Sequence, residues 1–222
     1  MHPHAAADRL SLAPGRRTAR SRGYAGKRVF DICVAAVLLG IAAPVIALLW
    51  ALVRADGGGG FFGHARVGRD GRVFRCWKLR SMVPDAESRL ATILATDPAA
   101  AAEWARRQKL SNDPRVTGLG RVLRRTRLDE LPQLWNVLRG EMSLVGPRPV
   151  TRAELGRYGS AAPLYLALRP GLTGPWQVSG EDGGDYAARV RRDAAYARQC
   201  SLGGDLWLLI RTCAVVLART GE

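Results

Sequence analysis

The stretch from Lys27 to Arg54, KRVFDICVAAVLLGIAAPVIALLWALVR, is the part of the chain that decides the fold. No residue between Ile32 and Val53 carries a charge. As an α-helix this uncharged run would cover roughly 33 Å, about the thickness of the hydrocarbon layer of a bilayer. The stretch therefore predicts a helix that enters a membrane. It is too long in its apolar part to be typical of a cleaved signal peptide.

Pro44 and the flanking charges indicate how this helix enters the membrane. Pro44 lies near the middle of the apolar run, where it removes a backbone donor and clashes with the preceding turn. Arginine and lysine are abundant on both sides of the run, and such residues favour the cytoplasmic face. Two half-helices that enter and leave the same leaflet would satisfy both observations. The alternative is an ordinary span with a kink, because membrane helices tolerate proline.

The chain divides into three segments, and the expected fold class is α+β, mostly helical. Residues 1–25 are basic and lack apolar periodicity, which predicts disorder. Residues 26–56 form the re-entrant membrane helix, a helix–Pro–helix hairpin. Residues 57–222 form one globular domain, in which the RDGR turn predicts a short β-hairpin and residues 84–110 predict two helices. The apolar stretch from Leu206 to Leu217 predicts either an amphipathic helix in the membrane interface or a core helix.

Composition limits the classes of partner. The net charge is +15, from 34 basic and 19 acidic residues, which predicts a polyanionic partner such as nucleic acid, anionic lipid or a phosphorylated substrate. The apolar block and the lack of a recognition-helix motif argue against nucleic acid. The four cysteines have no C-x-x-C spacing, so they are expected to be free thiols. The three histidines do not form a metal-binding pattern.

The stretch RRTRLDELPQLWNVLRG, from Arg124 to Gly140, carries the candidate chemistry. Asp129 and Glu130 precede an apolar helix that has Pro132 in its first turn. Asp129 could simply cap this helix. It could instead attack a phosphoryl group, because an aspartate with its usual pKa of about 3.9 is already ionised at neutral pH. Such a nucleophile needs arginines and a divalent cation to offset its repulsion from the substrate.

Cationic side chains in several loops could supply that compensation. Arginine suits phosphate because its planar fork makes bidentate contacts, and Arg148 is held between two prolines. Lys78 and Arg80 alternate in WKLRS, so they are expected to share one face of a strand. The candidate substrate- and phosphate-binding residues are Arg148, Lys78, Arg80, Arg115, Arg125, Arg169 and Gln177.

Five motifs occur in a fixed order between about residues 25 and 218: KRVFDI, WKLRSM, DPRVTGLGRVLRRT, TRLDELPQLWNVLRGEMSLVGPRP and RPGLTGPWQVSG. Together they resemble the bacterial sugar transferase family, the small monotopic polyprenyl-phosphate phosphoglycosyl transferases. FGHARVG and the Ala-rich segment before DPRVT are most similar to the exopolysaccharide branch, the undecaprenyl-phosphate galactose phosphotransferases. The chain is expected to belong with the short, minimal members of the family.

This resemblance implies an activity and a site. The enzyme would transfer a sugar 1-phosphate from a UDP-sugar, with galactose or glucose as the sugar, to undecaprenyl phosphate and release UMP. Asp129 would be the nucleophile, Asp129 and Glu130 would hold Mg²⁺, and Arg148 would contact a phosphate. The helix would bend at Pro44 and place the catalytic domain on the cytoplasmic face of the bacterial inner membrane. Membrane lipid is a further expected partner and a homodimer is compatible with the resemblance, whereas nucleic acid is not expected.

The chain departs from the family pattern at three places. Ala43 precedes Pro44 where the family often has serine, so a hydroxyl that could bond a freed carbonyl is missing. Glu181 follows WQVSG where arginine is common, which removes one cation from that loop. Pro175 replaces a usual leucine. A non-catalytic membrane scaffold is the alternative function, although a scaffold has no need of the Asp129–Glu130 pair.

Overall fold

The computed structural model describes residues 23–55, 57–107, 110–179 and 186–217, and the fold is mostly helical with a few short strands. Residues 1–25, for which disorder was expected, lie largely outside the described residues. Glu181, which stands where arginine is common in the family, lies wholly outside them. The described helices are α1 Lys27–Arg54, α2 Ala86–Thr96, α3 Pro98–Arg107, α4 Gly118–Thr126, α5 Gln133–Arg139, α6 Arg152–Gly156, α7 Ala162–Leu166, α8 Tyr186–Gln199 and α9 Leu202–Leu217. The described strands are β1 Phe61–Val67, β2 Val73–Leu79, β3 Ser143–Val145 and β4 Gly171–Thr173.

Helix α1 is long and apolar enough to cross a membrane, with a mean hydropathy of 2.8 over its most apolar window. The helix continues through Pro44 without a break, and the bend expected there stays a prediction. Side chains on both sides of the proline contact the domain. Leu39 and Ala42 pack against the main core before Pro44, and Leu49 packs against a separate cluster after it.

One side of α1 follows the globular part along its length, and both ends are fixed to that part. The buried positions on this side are Asp31, Ala35, Ile46 and Val53. At the first end, Arg28 donates hydrogen bonds to the carbonyls of Val137 and Leu138, at 2.6 and 2.9 Å. At the other end, the carbonyl of Val53 accepts a hydrogen bond of 2.8 Å from Arg80.

The first turn of α1 explains the KRVFDI motif. Lys27 Nζ lies 2.6 Å from Asp205 Oδ2 and so connects α1 to α9. Asp31 accepts hydrogen bonds from Ser143 Oγ at 2.7 Å and from the Leu144 N–H at 3.2 Å, which connects α1 to β3. Asp31 and Asp205 are both buried, and buried carboxylates require such partners.

Strands β1 and β2 form the expected antiparallel hairpin, in register from Phe61–Leu79 to Val67–Val73. Its turn lies at residues 69–71, where Asp70 and Gly71 adopt positive φ angles of 58° and 77°. Directly opposite residues share a face of an antiparallel pair. One face consequently carries Phe62 with Lys78, His64 with Cys76, and Arg66 with Phe74.

Helix α5 is fastened to this hairpin by a buried amide. Asn136 is 0% exposed; its Oδ1 accepts from the Trp77 N–H at 3.0 Å and its Nδ2 donates to the Arg75 carbonyl at 2.7 Å. Gly140 ends α5 with a φ of 81°, as its place in the sequence predicted. The buried side of α5, with Leu134 and Val137, completes the main core.

The remaining elements close the domain around two further clusters. Strands β3 and β4 pair in parallel, and the second cluster contains Val150, Tyr158 and Tyr165. The third cluster brings α4 against the end of β2, and a Cβ on Gly120 would overlap the Ser81 carbonyl, so only glycine fits there.

The two helices expected over residues 84–110 are present as α2 and α3. The side chain of Asp97 accepts hydrogen bonds from the backbone of Ala99 and Ala100 and so caps the start of α3.

Helix α9 has one side in the core and an exposed apolar side, and its place in the membrane interface stays a prediction. Leu208 is buried in the main core, whereas Leu206, Trp207 and Ile210 are exposed. The exposed side of α1 is apolar as well. The domain thus carries two helices whose outward sides are apolar.

Candidate active site

Asp129 and Glu130 occupy a short 3-10 turn, Leu128–Glu130, between α4 and α5. The turn follows Arg127, whose left-handed backbone (φ 56°) ends α4 and redirects the chain. Pro132 then precedes α5, so the dyad is held between two helix ends. Asp129 is buried, with 6% of its surface exposed.

Lys78 reaches the dyad from strand β2. Its Nζ lies 2.6 Å from Glu130 Oε1 and 3.6 Å from Asp129 Oδ2. Burial opposes the charge on Lys78, but the two carboxylates outweigh it and raise the pKa of the ammonium. The structure therefore places Lys78, one of the residues chosen from the sequence, directly against the dyad.

The carboxylate of Asp129 does not cap a helix. No backbone N–H of the described residues donates to it, and the residue that precedes α5 is Pro132, which makes no side-chain cap. A capping aspartate accepts from the N–H groups of the first helical turn. The capping alternative is therefore not supported, and the buried carboxylate of Asp129 is free to meet a ligand.

The two carboxylates differ in acidity because their surroundings differ. Burial raises the pKa of Asp129 above its ordinary value, although Lys78 acts in the opposite direction. Burial also acts on Glu130, but Lys78 and Arg148 outweigh it and lower the pKa of this carboxyl. The cations thus favour the charged form of Glu130 more than that of Asp129. Asp129, which no strong ion pair occupies, is the better candidate for a nucleophile.

Arg148 lies close enough to Glu130 of the dyad to lower the pKa of that carboxyl. It follows β3 in the GPRP segment, and its positive charge acts on Glu130, Lys78 and Asp193. Within the part of the chain that the structure describes, its side chain has no hydrogen bond or ion pair. A half-buried guanidinium beside two carboxylates, with its donors uncommitted, is suited to an anionic ligand.

Two arginines of the RRTR segment were missed by sequence reasoning. Arg124 donates to Ser81 Oγ at 2.9 Å, and its charge opposes the rise that burial causes in the pKa of Asp129. Arg127 acts in the same way on Glu130, and its buried Nε has no hydrogen-bond partner among the described residues.

Arg125, which was chosen from the sequence, is exposed and makes no side-chain hydrogen bond or ion pair with the described residues. The signal that could have separated these arginines is helical periodicity. Leu123 is one of the two buried residues of α4, and at about 100° per residue Arg127 falls about 40° and Arg124 about 100° from it, whereas Arg125 falls about 200° away, on the opposite side. That rule selects Arg124 and Arg127 and places Arg125 outward.

Gln177 is brought near the loop that carries Arg148. Its Oε1 is buried without a partner among the described residues and lies beside Gly174. A Cβ on Gly174 would overlap the carbonyl of Gly146, two residues before Arg148. A buried acceptor without a donor fits a ligand or water in this part of the site.

Three other candidate residues are not brought to the dyad. Arg80 lies just beyond the end of β2 and donates to carbonyls at the end of α1 and in its following loop, so it does not share a strand face with Lys78. Arg115 makes a bidentate pair with Asp113, at 2.8 and 2.6 Å. Arg169 donates to the Gly140 carbonyl at the opposite end of α5.

Comparison with known proteins accounts for this arrangement. The model of the bacterial sugar transferase family matches residues 22–219. The chain belongs to the bacterial sugar transferase family. An undecaprenyl-phosphate galactose phosphotransferase of Salmonella typhimurium is 50% identical over 195 residues, 88% of this chain and 41% of that relative. The chain thus spans less than half of that protein.

This sugar transferase covers a larger share of the length of two further relatives. The exopolysaccharide production protein ExoY of Rhizobium meliloti is 48% identical over 204 residues, 91% of this chain and 90% of the relative. A UDP-glucose:undecaprenyl-phosphate glucose-1-phosphate transferase of Caulobacter vibrioides is 37% identical over 217 residues, 94% of this chain and 76% of the relative.

The resemblance to bacterial sugar transferases implied a magnesium ion at the dyad. Among the described residues no group of three or more His, Cys, Asp or Glu side chains could enclose a metal. Magnesium is commonly held by one or two carboxylates together with substrate phosphates and waters. Asp129 and Glu130 are adjacent oxygen donors, so the dyad fits an ion that the substrate completes.

Proposed function

We propose that this sugar transferase moves a sugar 1-phosphate from a UDP-sugar to undecaprenyl phosphate and releases UMP. The observation that carries the proposal is the buried carboxylate of Asp129, which caps no helix and lies beside Lys78, while the uncommitted Arg148 acts on the neighbouring Glu130. The names of the relatives support both the lipid carrier and a galactose or glucose donor. The relatives also support a place in exopolysaccharide synthesis.

The reaction proceeds in two displacements at the phosphorus atom that bears the sugar. In the first, an oxygen of Asp129 forms a bond to this phosphorus and the bond to the bridging oxygen of UMP breaks. UMP leaves with the electron pair. In the second, a phosphate oxygen of undecaprenyl phosphate attacks the same phosphorus, and the aspartyl–phosphorus bond breaks. The carboxylate is thereby restored and the lipid-linked diphosphate sugar is formed.

The surrounding charges stabilise the phosphoryl group during both steps. Arg148 presents an unpaired guanidinium to the substrate phosphates, and Lys78 offsets the negative charge of the dyad. Arg127 adds a buried N–H donor on the same side. Asp129 and Glu130 would hold Mg²⁺, which when bound neutralises phosphate charge.

The domain lies on the cytoplasmic side of the inner membrane, with α1 entering and leaving the cytoplasmic leaflet. The support is that Arg28 and Arg80 fix the two ends of α1 to the same domain. A helix attached in this way cannot place its ends on opposite sides of a bilayer unless the domain crosses with it. The exposed apolar sides of α1 and α9 are suited to the leaflet.

The decisive test is the variant Asp129→Asn. Wild-type protein given a UDP-sugar and Mg²⁺ should release UMP and carry a phospho-sugar adduct on Asp129, detected by intact-protein mass spectrometry. Asp129→Asn should lose both the adduct and UMP release, because the amide cannot form the acyl phosphate. Asp85→Asn, an identical change at an exposed helix start, is the matched control and should remain active.

An active Asp129→Asn enzyme, shown by mass spectrometry not to have deamidated, would remove Asp129 as the nucleophile. Wild-type protein that releases no UMP with any UDP-sugar would favour the scaffold alternative. A panel of UDP-galactose, UDP-glucose and their N-acetyl forms would also identify the sugar.

A further inference from the structure

A second charged cavity lies at the opposite end of α5 from Asp129. It has a volume of about 360 Å³ and is bounded by the start of α1, the hairpin turn, β3 and the segment before β4. Neither carboxylate of the dyad lines it. Its charged lining consists of four cationic side chains and one carboxylate, namely Lys27, Arg28, Arg69, Arg169 and Asp31.

Carboxylates neutralise only part of this cluster. Lys27 Nζ lies 3.6 Å from Asp31 Oδ1 and 2.6 Å from Asp205 Oδ2, so both carboxylates pair with the lysine and not with an arginine. Arg28 and Arg169 donate to carbonyl oxygens at the end of α5, which are uncharged partners. Both guanidiniums therefore keep their full positive charge next to the cavity.

Arg69, the remaining arginine of the lining, adds a further positive charge to the cavity. The exposed carboxylate of Asp70 lies 3.4 Å from Arg69 Nε, and such exposed pairs compensate little of the charge. Burial, together with repulsion from Arg69 and Arg28, lowers the pKa of Arg169. An anion in the cavity would relieve this repulsion.

One wall of the cavity is apolar and continues onto the outer surface of α1. Val29 lines the cavity and is 65% exposed. Ile32, one turn further along α1, is also exposed. A ligand with a negative head and hydrocarbon chains would match both parts, whereas a free phosphate ion would use only the cationic part.

We propose that this cavity binds the phosphate of an anionic membrane phospholipid, whose acyl chains lie against Val29 and Ile32 of α1. The bound lipid is not the acceptor of the transfer reaction. The cavity adjoins Gly140, and the rise of α5 alone separates Gly140 from the dyad by roughly 10 Å. A phosphate held there would instead fix the start of α1 at the depth of the lipid headgroups.

The test compares two arginines of the same hairpin turn. Arg69→Gln and Arg72→Gln each remove one positive charge, but only Arg69 lines the cavity. The full chain would be purified in neutral detergent and exposed to phosphatidylglycerol and phosphatidylcholine of the same chain length. Native mass spectrometry would then measure which lipid each protein retains.

Wild type and Arg72→Gln should retain phosphatidylglycerol in preference to phosphatidylcholine. Arg69→Gln should lose about fivefold in this preference, as expected for one charge at a lipid phosphate. Arg69→Glu should lose more. Equal losses in the two Gln variants would overturn the proposal, because they would indicate a general charge effect.

Two further measurements distinguish a phospholipid from the other phosphate ligands, which are inorganic phosphate and undecaprenyl phosphate. Inorganic phosphate at equal concentration should not displace phosphatidylglycerol; displacement would indicate a simple anion site and overturn the lipid assignment. UMP release by Arg69→Gln in phosphatidylcholine vesicles should keep the wild-type KM for undecaprenyl phosphate. A raised KM for this substrate would overturn the proposal by assigning the cavity to the acceptor.

Discussion

At the scale of single residues, Arg148 is the side chain whose removal should affect the reaction most specifically. Arg148→Ala should lower UMP release by about 30- to 1000-fold, the cost of losing one preorganised charge contact in a transition state. Arg148→Lys should recover only part of this loss, because an ammonium cannot make the bidentate contact. Steady-state UMP release measures both effects. Arg125→Ala, at an exposed position nearby, is the control, and full activity of Arg148→Lys would contradict the bidentate contact.

A second residue-scale prediction concerns Asp193, which is 2% exposed and accepts a hydrogen bond of 2.7 Å from Tyr158. Burial raises the pKa of Asp193 from 3.8 to about 6. The pKa of Asp193 is higher in the folded protein than in the unfolded chain. The native state therefore binds more protons than the unfolded state between pH 3.8 and about 6. The contribution of Asp193 to the free energy of unfolding is fully present at low pH and is lost as the pH rises through about 6.

Asp193→Asn removes this titration and keeps an acceptor for Tyr158. Relative to wild type, the variant should therefore gain about 1.4 kcal/mol of stability as the pH is raised from about 5 to 7.5, because the rest of the total change of about 3 kcal/mol falls below pH 5. Thermal unfolding in detergent at both pH values measures the change. A difference in Tm that is the same at both values would show that Asp193 does not titrate in this range.

Candidate residues could be chosen from the sequence, but their positions could not. Asp129, Glu130, Arg148 and Lys78 were chosen because their motifs and charges suit phosphoryl transfer, and the structure brings Lys78 to the dyad. Arg80 was misjudged, since its hydrogen-bond partner Val53 lies 27 residues away along the chain. Charge alone does not reveal such distant partners.

At the scale of elements, the attachment of α5 to the hairpin holds the dyad against Lys78. Asn136→Ala would leave the Trp77 N–H and the Arg75 carbonyl without partners in a buried place. Each such group costs about 1–3 kcal/mol, so the variant should unfold at a clearly lower temperature. Arg139→Ala, on the exposed side of the same helix, is the control and should change Tm little. Equal Tm values for the two variants would contradict the role of Asn136.

Elements determined by neighbouring residues were predictable, and those determined by distant contacts were not. The RDGR turn and the Asp97-Pro98 pair locate the hairpin and α3 through local backbone preferences. The parallel pairing of β3 with β4 joins segments far apart in the sequence, and no local signal specifies it. The contacts of Leu39 and Ala42 in α1 with the main core likewise have no local signal in the sequence.

At the scale of the whole molecule, the arrangement of α1 is set by both of its ends. The sequence indicated a membrane helix through its hydropathy and its flanking charges. It did not indicate that the helix lies along the domain, because the contacts of Arg28 and Arg80 are with residues far away in the chain. These contacts, and not Pro44 alone, are what should keep both ends on one side of the membrane.

The final prediction follows from this arrangement. Ala25→Cys and Ala55→Cys introduce thiols at exposed positions on either side of α1. In spheroplasts a membrane-impermeant maleimide should label neither beyond the background of the parent chain, and after lysis both should react. Adding Pro44→Ala should leave this pattern unchanged, since Arg28 and Arg80 still hold the two ends. Labelling of either cysteine in intact spheroplasts would show that α1 crosses the membrane. Labelling only in the Pro44→Ala background would show that the proline, and not the end contacts, sets the topology.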